Sequence, residues 1–180
     1  MSTATTRIVS VADNWGGYAV VNDAPELACE AVVGHVLWEF VSDHETREIY
    51  RELIWRSFSG HAVKFYIRND SPDQRRTAKL KIRRTLDGNV EFSIQTIGIV
   101  PLPLQELLRR RKRHAAGNVT ECSFCNKIQT GPSEWLEVED AVGKLRLFGQ
   151  KLLPDLLQGV CPPCHRRLDA KLAERRQLVA

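Results

Sequence analysis

Two short cysteine pairs in the last third of the chain constrain its fold more than any other feature. Cys122 and Cys125 form the first C-x-x-C pair, Cys161 and Cys164 form the second, and residues 126–160 separate them. Four thiolates complete the tetrahedral shell that Zn²⁺ prefers, and two intervening residues let both sulfurs of a pair reach one ion from a tight turn. Because shells of four sulfurs are closed and non-catalytic, we expect one structural Zn²⁺ ion bound by these four residues.

The segment between the pairs is longer than the ~15–20 residues that separate the pairs of a compact zinc ribbon. It must therefore contain secondary structure of its own. Four residues have helical spacing and predict a helix inside it: Trp135, Val138, Glu139 and Val142. A last helix is expected to follow Cys164, with Leu168 and Leu172 among arginines and lysines. We predict a small helical subdomain over residues 119–180 that the metal holds together.

Other uses of the cysteine pairs are weaker or stay open. Cys161-Pro-Pro-Cys164-His165 spells the attachment pattern of c-type haem, but haem attachment leaves the first pair unexplained. A thioredoxin-like site needs a βαβ context, which the sequence does not predict. A redox switch, in which zinc-bound thiolates are oxidised and the metal is released, stays open. We expect His165 to be an exposed helix residue and Cys29 to be a partly buried apolar residue.

Composition limits the class of protein. The chain has 180 residues, of which 43% are hydrophobic and 27% are charged, as in a soluble globular protein. No apolar run approaches the ~18 residues of a membrane span, and the first residues lack a charged-then-apolar leader. We therefore expect a cytoplasmic protein with no membrane partner, whose cysteines stay reduced. The net charge of +4 permits an acidic partner without requiring one.

The first 60 residues predict a hairpin followed by helices. Residues 7–12 and 18–22 are interpreted as two strands around a glycine-containing turn, and a short helix is expected over residues 24–31. A capping box at residues 42–45 predicts the start of a longer helix, which Gly60 ends. The apolar stripe of this helix consists of Ile49, Tyr50, Leu53, Ile54 and Phe58.

Period-two patterns then predict three strands. Their alternating apolar residues are Val63, Phe65 and Ile67 in the first strand, Ala78, Leu80 and Ile82 in the second, and Val90, Phe92 and Ile94 in the third. Asp87-Gly88 predicts a tight hairpin between the last two strands. One face of the resulting antiparallel sheet is expected to be apolar and the other charged.

The order of these elements, together with several local motifs, resembles a bacterial PAS-like family over about residues 6–98. The matching motifs are residues 34–40 (GHVLWEF), 46–50 (TREIY), 68–72 (RNDSP) with 75–76 (RR), and 87–92 (DGNVEF). The resemblance implies an α+β fold with a five-stranded antiparallel sheet, strand order 2-1-5-4-3, and helices over one face. It also implies a sensory domain, here residues 6–100, that binds a small molecule or makes protein contacts, often as a dimer.

The cysteine-containing segment resembles the tail that follows sensory domains in some bacterial histidine kinases and response regulators. The matching motifs are residues 122–129 (CSFCNKIQ), 134–139 (EWLEVE) and 159–164 (GVCPPC). The family usually has Ser-His-Gly before its second pair, whereas this chain has Leu157-Gln158-Gly159. The departure removes a possible fifth ligand and favours a site of four cysteines. No kinase core or receiver domain accompanies the segment, so neither activity is implied for this chain.

Residues 101–118 are predicted to form a basic helical linker that begins with Leu104, Leu107 and Leu108. It contains five consecutive cations, Arg109, Arg110, Arg111, Lys112 and Arg113. A charge run of this kind is typical of a solvated helix face. It is also a candidate for contact with nucleic-acid phosphates or with a protein partner.

A second basic group lies on the predicted sheet and consists of Arg75, Arg76, Lys79, Lys81 and Arg83. We expect Asp70, Asp73 and Glu91 to balance its charge. No Ser-His-Asp, paired-carboxylate or phosphate-cradle arrangement is recognisable, so an enzyme is the least supported class. The sequence favours non-enzymatic sensing or signalling through a protein partner or a homodimer. The alternatives are a nucleic-acid-binding regulator that uses the Arg-rich linker and the C-terminal helix, and the zinc-thiolate redox switch.

Overall fold

The computed structural model describes residues 6–22, 24–60, 62–109 and 117–174, which form a mixed α+β structure with two sheets. The α-helices are α1 (Trp15–Val21), α2 (Cys29–Val32), α3 (His44–Ser57), α4 (Val138–Lys144) and α5 (Pro162–Glu174). The strands are β1 (Val63–Arg68), β2 (Gln74–Arg84), β3 (Val90–Pro101), β4 (Asn118–Cys122), β5 (Ile128–Gly131), β6 (Glu134–Leu136) and β7 (Asp155–Gly159). Short 3₁₀ turns occur at Pro25–Leu27, Leu37–Glu39 and Glu106–Leu108. The α+β class predicted from the sequence is confirmed.

The first sheet is the predicted three-stranded meander, with the order β1-β2-β3 and antiparallel pairing throughout. Val63 pairs with Ile82, and Ile82 pairs with Phe92, so the apolar residues of the three strands share one face. The turn between β2 and β3 closes where the Thr85 N–H donates to the Asn89 carbonyl at 2.8 Å. Gly88 in this turn has a φ of 89°, which glycine adopts without steric cost.

Helix α3 begins one residue later than the predicted capping box implies. Its N-cap is Asp43, whose carboxylate accepts the Thr46 N–H at 2.7 Å. The Ser42 N–H donates instead to the side chain of Gln158. Ile49 and Leu53 are buried as the stripe predicts, which places the helix over the apolar face of the first sheet.

The predicted opening hairpin is wrong. Residues 15–21 form α1, and the described residues before them, 6–14, contain an isolated β-bridge between Arg7 and Val36 but no strand. Long-range contacts stabilise α1: the Trp15 indole donates to the Leu27 carbonyl at 2.5 Å, and the Arg76 guanidinium lies over the Tyr18 ring. Such contacts override the weak strand preference of so short a segment. Within the described residues the first sheet therefore has three strands, and the five-stranded order is not formed.

The predicted helix at the start of the linker is also wrong. Strand β3 continues to Pro101, and the chain then forms only the 3₁₀ turn that contains Leu107 and Leu108. Backbone bonds hold this segment against the first sheet: the Leu102 N–H donates to Asp73, and the Gln105 N–H donates to Pro72. Both leucines are buried. Residues 110–116 of the linker lie outside the described residues.

The second sheet has the order β6-β5-β4-β7, in which β4 and β7 are parallel. Trp135 lies in β6 rather than in the predicted helix, but α4 buries Val138 and Val142 as expected. The predicted last helix is present as α5, but it begins at Pro162, inside the second cysteine pair, rather than after Cys164. None of the helices in the described part of the chain is long and apolar enough to cross a membrane.

One hydrophobic core joins the first sheet to the cysteine-containing segment. Its members from the first part of the chain include Ile49, Leu53, Phe65, Leu80 and Ile82, and its members from the last part include Phe124, Val160, Cys161 and Leu168. A second cluster lies under Leu107 and Leu108 and contains Ile128, Val138, Ala141 and Val142. The cysteine pairs thus lie at the inner face of the first sheet.

The close approach of β4 and β7 makes Gly159 a sensitive position. A Cβ atom added at Gly159 would lie 2.5 Å from the Thr120 Cγ2 atom. We expect Gly159→Ala to lower the free energy of unfolding by about 1–3 kcal/mol, as overpacking does, in urea titrations followed by circular dichroism. Adding Thr120→Ser, which removes the opposing methyl group, should restore part of the loss.

The matched control for this substitution is Gly17→Ala in α1, where an added Cβ meets nothing within 4 Å. It should be neutral or should raise stability by about 0.5–1 kcal/mol. Equal losses at Gly159 and Gly17, or no recovery with Thr120→Ser, would contradict the packing argument.

Candidate metal centre

The four predicted ligands converge on one point. Cys122 ends β4, Cys125 lies in the turn that follows, Cys161 directly precedes α5, and Cys164 lies in its first turn. Their sulfur atoms all lie within 4.8 Å of one another, and the Cys125 and Cys161 sulfurs are 3.6 Å apart. A tetrahedral ion with bonds of ~2.3 Å needs sulfurs ~3.8 Å apart. The four cysteines can therefore hold a metal ion.

Parallel pairing of β4 with β7 brings the two pairs together. Cys122 lies opposite Gly159, two residues before Cys161, and the Ser123 N–H donates to the Gly159 carbonyl at 2.9 Å. The first turn is completed by Asn126, whose φ of 56° is in the left-handed region that asparagine tolerates. Its N–H donates to the Cys122 carbonyl, so the chain reverses and returns as β5.

Polar groups around the sulfurs suit thiolate ligands. The Cys161 N–H points at the Cys122 sulfur at 3.4 Å, and an Arg167 guanidinium nitrogen lies 3.7 Å from the Cys164 sulfur. Three of the four cysteines are buried, and Cys125 is half-buried. Burial of this kind limits the access of solvent to the four sulfurs.

The sulfurs cannot all ionise in this space without a cation. Hydrogen bonds from the Cys125 and Cys164 thiols, and from the Cys161 and Phe124 amides, hold the pKa of Cys122 far below its usual range. The hydrogen bond that the Cys125 thiol donates to the Cys122 thiolate raises the pKa of Cys125 to about 12. The pKa of Cys164 is also raised, first by its own hydrogen bond to Cys122 and then by its hydrogen bond to Cys125. A divalent cation removes this conflict, because it lets all four thiolates form together.

The competing interpretations of the cysteines fit the geometry less well. All five cysteines are free, and a sulfur separation of 3.6 Å is far longer than the ~2.05 Å of a disulfide. Haem attachment would use the second pair alone, yet the first pair contacts it directly. The two ring nitrogens of His165 lie 3.2 Å from the Glu45 carboxylate and 2.7 Å from the Asp169 carboxylate. The ring therefore contacts these two acids at the surface of α5.

Phe124, between the first two cysteines, is the contact that sequence reasoning missed. It is fully buried, with its ring centroid 5.8 Å from that of Tyr50 and 6.1 Å from that of Phe65. Its carbonyl accepts the Arg68 N–H at 2.9 Å, which joins the cysteine turn to the end of β1. The sequence signal for this contact was the aromatic residue itself, because a C-x-x-C turn that packs against nothing else needs no aromatic side chain between its cysteines.

Polar contacts also join the cysteine-containing segment to the first part of the chain. The Gln158 amide accepts the Ser42 N–H at 2.7 Å and donates to the Phe40 carbonyl at 3.2 Å. Glu137, the N-cap of α4, lies 3.2 Å from both Arg68 and Arg75. Thus Gln158 joins the last segment to the residues before α3.

The basic residues predicted from the sequence have different surroundings. Arg109 is partly buried and lies 3.5 Å from Glu106, whereas Arg110, Arg111, Lys112 and Arg113 lie outside the described residues. On the first sheet, Arg75 pairs with Glu137 and Glu139, and Arg83 pairs with Glu91. Arg76 is buried against Asn22.

The expectation that nearby acids balance the sheet is wrong for its lysines. Asp70 binds Arg68, and the Asp73 carboxylate accepts the Ser71 hydroxyl. Lys79 and Lys81 form no ion pair with any residue in the described part of the chain. Two of the five members of the second basic group therefore keep an unbalanced charge.

Comparisons with protein-family models, with curated proteins and with solved structures found no match to this chain. The geometry of the site therefore carries the functional argument.

Substitution of Phe124 directly tests the packing of the first cysteine turn against α3 and the first sheet. We expect Phe124→Ala to lower the free energy of unfolding by about 3–5 kcal/mol, because it opens a cavity between Tyr50 and Phe65. Urea titrations measure the change, and Phe124→Leu should cost clearly less. The control is Phe148→Ala, whose ring is 76% exposed and whose removal should change stability by only about 0.5 kcal/mol. Similar losses at both positions would contradict this role of Phe124.

Proposed function

We propose that the four cysteines bind one structural Zn²⁺ ion. Four cysteine sulfurs within 4.8 Å of one another, three of them in buried residues, are a donor set that selects zinc over the harder divalent cations. When bound, the ion supplies charge neutralisation and a rigid cross-link rather than chemistry. Phe124 packs the cross-linked segment against α3 and the first sheet, and Gln158 bonds it to Ser42, just before α3.

We further propose that the chain is a non-enzymatic signalling protein that works through protein contacts. The free edge of its first sheet carries this proposal. Strand β3 pairs only with β2 among the described strands, and no residue from Phe92 to Gln105 is charged. Four of its apolar side chains are more than half exposed: Ile94, Ile97, Ile99 and Val100.

An edge of this kind needs a partner. Soluble proteins protect long apolar edge strands with charge, proline or cover, because unpaired backbone groups there recruit other strands. The opposite edge of the sheet, β1, carries Lys64 and Arg68, so it is protected in this way. Strand β3 is not protected, and pairing with another strand would satisfy its backbone groups.

The occupant that fits best is β3 of a second copy. Two antiparallel β3 strands related by a two-fold axis form a self-complementary interface, as symmetric dimers require. Both strands are uncharged along the pairing, and the axis places Glu91 of each copy beside the uncharged end of the other. A charged partner strand would bury its charges against isoleucines without compensation.

The sensory part of the proposal rests on the motifs that resemble the PAS-like family. The features that support it are the meander, the preceding helix α3 and the Asp87-Gly88 turn, whereas the five-stranded order is not formed among the described residues. In this proposal a signal received by the α3 side of the sheet reaches the dimer edge through the zinc-stabilised core.

The zinc site predicts a defined metal content. Purified protein should contain about one zinc per chain, measured by inductively coupled plasma mass spectrometry. Cys161→Ser should lose the metal and the folded structure of the last segment, because metal binding and folding are linked. Cys29→Ser, which removes the one cysteine outside the cluster, should keep both. Metal-free protein with a disulfide among the four cysteines would contradict the proposal and favour the redox switch.

The edge pairing predicts a dimer that a charge in β3 disrupts. Light scattering coupled to size exclusion should show a dimer that dissociates on dilution. Ile94→Lys combined with Ile97→Lys should give a monomer with unchanged zinc content, because two buried cations per strand oppose pairing. Leu86→Lys, at the fully exposed hairpin turn, is the matched control and should stay dimeric. A monomer at all concentrations, or a dimer insensitive to the β3 lysines, would contradict the proposed interface.

A further inference from the structure

The outer face of the first sheet, opposite the hydrophobic core, presents an arrangement of side chains that folding does not explain. Lys64 pairs directly with Lys81 across β1 and β2, and Tyr66 pairs directly with Lys79. Ser93 and Gln95 of β3 extend these two rows. The Tyr66 side chain is 57% exposed at the middle of the face. We call these six residues the lysine face: Lys64, Tyr66, Lys79, Lys81, Ser93 and Gln95.

The lysine face has no neutralising acid among the described residues. Glu91 lies in the next row of the same face, and it is held by Arg83 at 2.7 Å. Lys64, like Lys79 and Lys81, forms no ion pair with any residue that the structure describes. Three cations therefore lie within two adjacent rows of one exposed surface without a counter-charge.

This placement costs stability. Like charges directly opposite on neighbouring strands destabilise a sheet, and a glutamate at either Lys64 or Lys81 would turn the repulsion into an attraction. Local choices that oppose folding without structural benefit are expected at functional sites. The register of Lys64 with Lys81 is therefore evidence for a ligand whose charge opposes theirs.

A cleft continues the lysine face at the end of β2. Its volume is about 220 Å³, and its lining residues are Ser57, Gly60, Ala62, Lys81, Arg83 and Arg84. Lys81 belongs to both the cleft and the face. The Arg84 guanidinium lies over the Phe58 ring, 5.4 Å from its centroid, which fixes its position without neutralising it. None of the described residues that line this cleft is acidic, and its volume is large enough to admit a phosphate group.

We propose that the lysine face binds single-stranded nucleic acid, with phosphates on the lysines and in the cleft and a base stacked on Tyr66. Rows of a sheet are ~6.6–6.8 Å apart along a strand, comparable to the spacing of phosphates in an extended strand. An exposed aromatic ring among cations, beside the uncharged donors of Ser93 and Gln95, is the composition of a stacking platform. A duplex keeps its bases inside, so it cannot use Tyr66. This surface is separate from the Arg109–Arg113 segment.

Fluorescence anisotropy of labelled oligothymidylate with the zinc-loaded full chain tests the proposal. We expect binding that weakens steeply with salt, with a slope of about −0.7 per phosphate contact. The triple variant Lys64→Ala, Lys79→Ala, Lys81→Ala should reduce that slope by about 2 and lower affinity at least ten-fold. It should unfold at equal or higher urea concentration than the parent, since the repulsion between Lys64 and Lys81 is removed.

Tyr66 separates stacking from simple charge attraction. Tyr66→Ala should weaken binding roughly ten-fold, whereas Tyr66→Phe, which keeps the ring, should bind like the parent. The charge control is Lys151→Ala with Lys171→Ala, two lysines outside the first sheet that are exposed to solvent. It should change affinity much less than substitutions on the lysine face.

Several outcomes would overturn the proposal. One is absence of binding at about 50 mM salt, where electrostatic contacts are strong. Another is binding that survives the triple variant but is lost when Arg109–Arg113 are replaced by alanine. A third is equal binding of polyglutamate or of anionic phosphatidylserine vesicles, unaffected by Tyr66→Ala. The β3 variants Ile94→Lys and Ile97→Lys report on the dimer independently, so failure of one proposal leaves the other distinguishable.

Discussion

The structure depends on the meeting of the two cysteine turns beneath the first sheet. Parallel pairing of β4 and β7 sets Cys122 opposite Gly159, and this register brings all four sulfurs within 4.8 Å. Phe124 then carries the same turn into the core beside Tyr50 and Phe65. The cysteine cluster and the hydrophobic core are thus in direct contact, and disturbing either should loosen the other.

Patterns that depend on local periodicity could be predicted from the sequence, and patterns that depend on distant contacts could not. The meander follows from strict alternation in residues 63–94, and α5 follows from the spacing after Cys164. Residues 18–22 are a short apolar run that suggests a strand, but the Trp15 and Tyr18 contacts stabilise them as a helix. Leu107 and Leu108 suggest a helical stripe, yet they are buried by α4 in a short turn. Neither set of long-range contacts has a local signature.

The contacts of charged residues were likewise predictable only where they depend on local spacing. The cysteine cluster was predictable because C-x-x-C spacing is itself a local constraint on geometry. The partners of the arginines were not, because Arg75 pairs with Glu139 across a separation of 64 residues. The nearby acids that suggested a balanced sheet are used elsewhere: Asp70 binds Arg68, and Glu91 binds Arg83. Only the strand register and the ion pairs of the folded chain together show which lysines lack a counter-charge among the described residues.

The two proposed surfaces of the first sheet are geometrically compatible. Antiparallel pairing of two β3 strands requires a two-fold axis perpendicular to the sheet, because strands that continue one sheet share its faces. The lysine faces of both copies would then lie on the same side of one continuous sheet, with Ser93 and Gln95 nearest the axis. A polyanionic strand crossing the dimer would meet the lysines of both copies, and its affinity would exceed that for one copy through effective concentration. Dimerisation through β3 thus provides a physical route by which protein contact could control nucleic-acid binding.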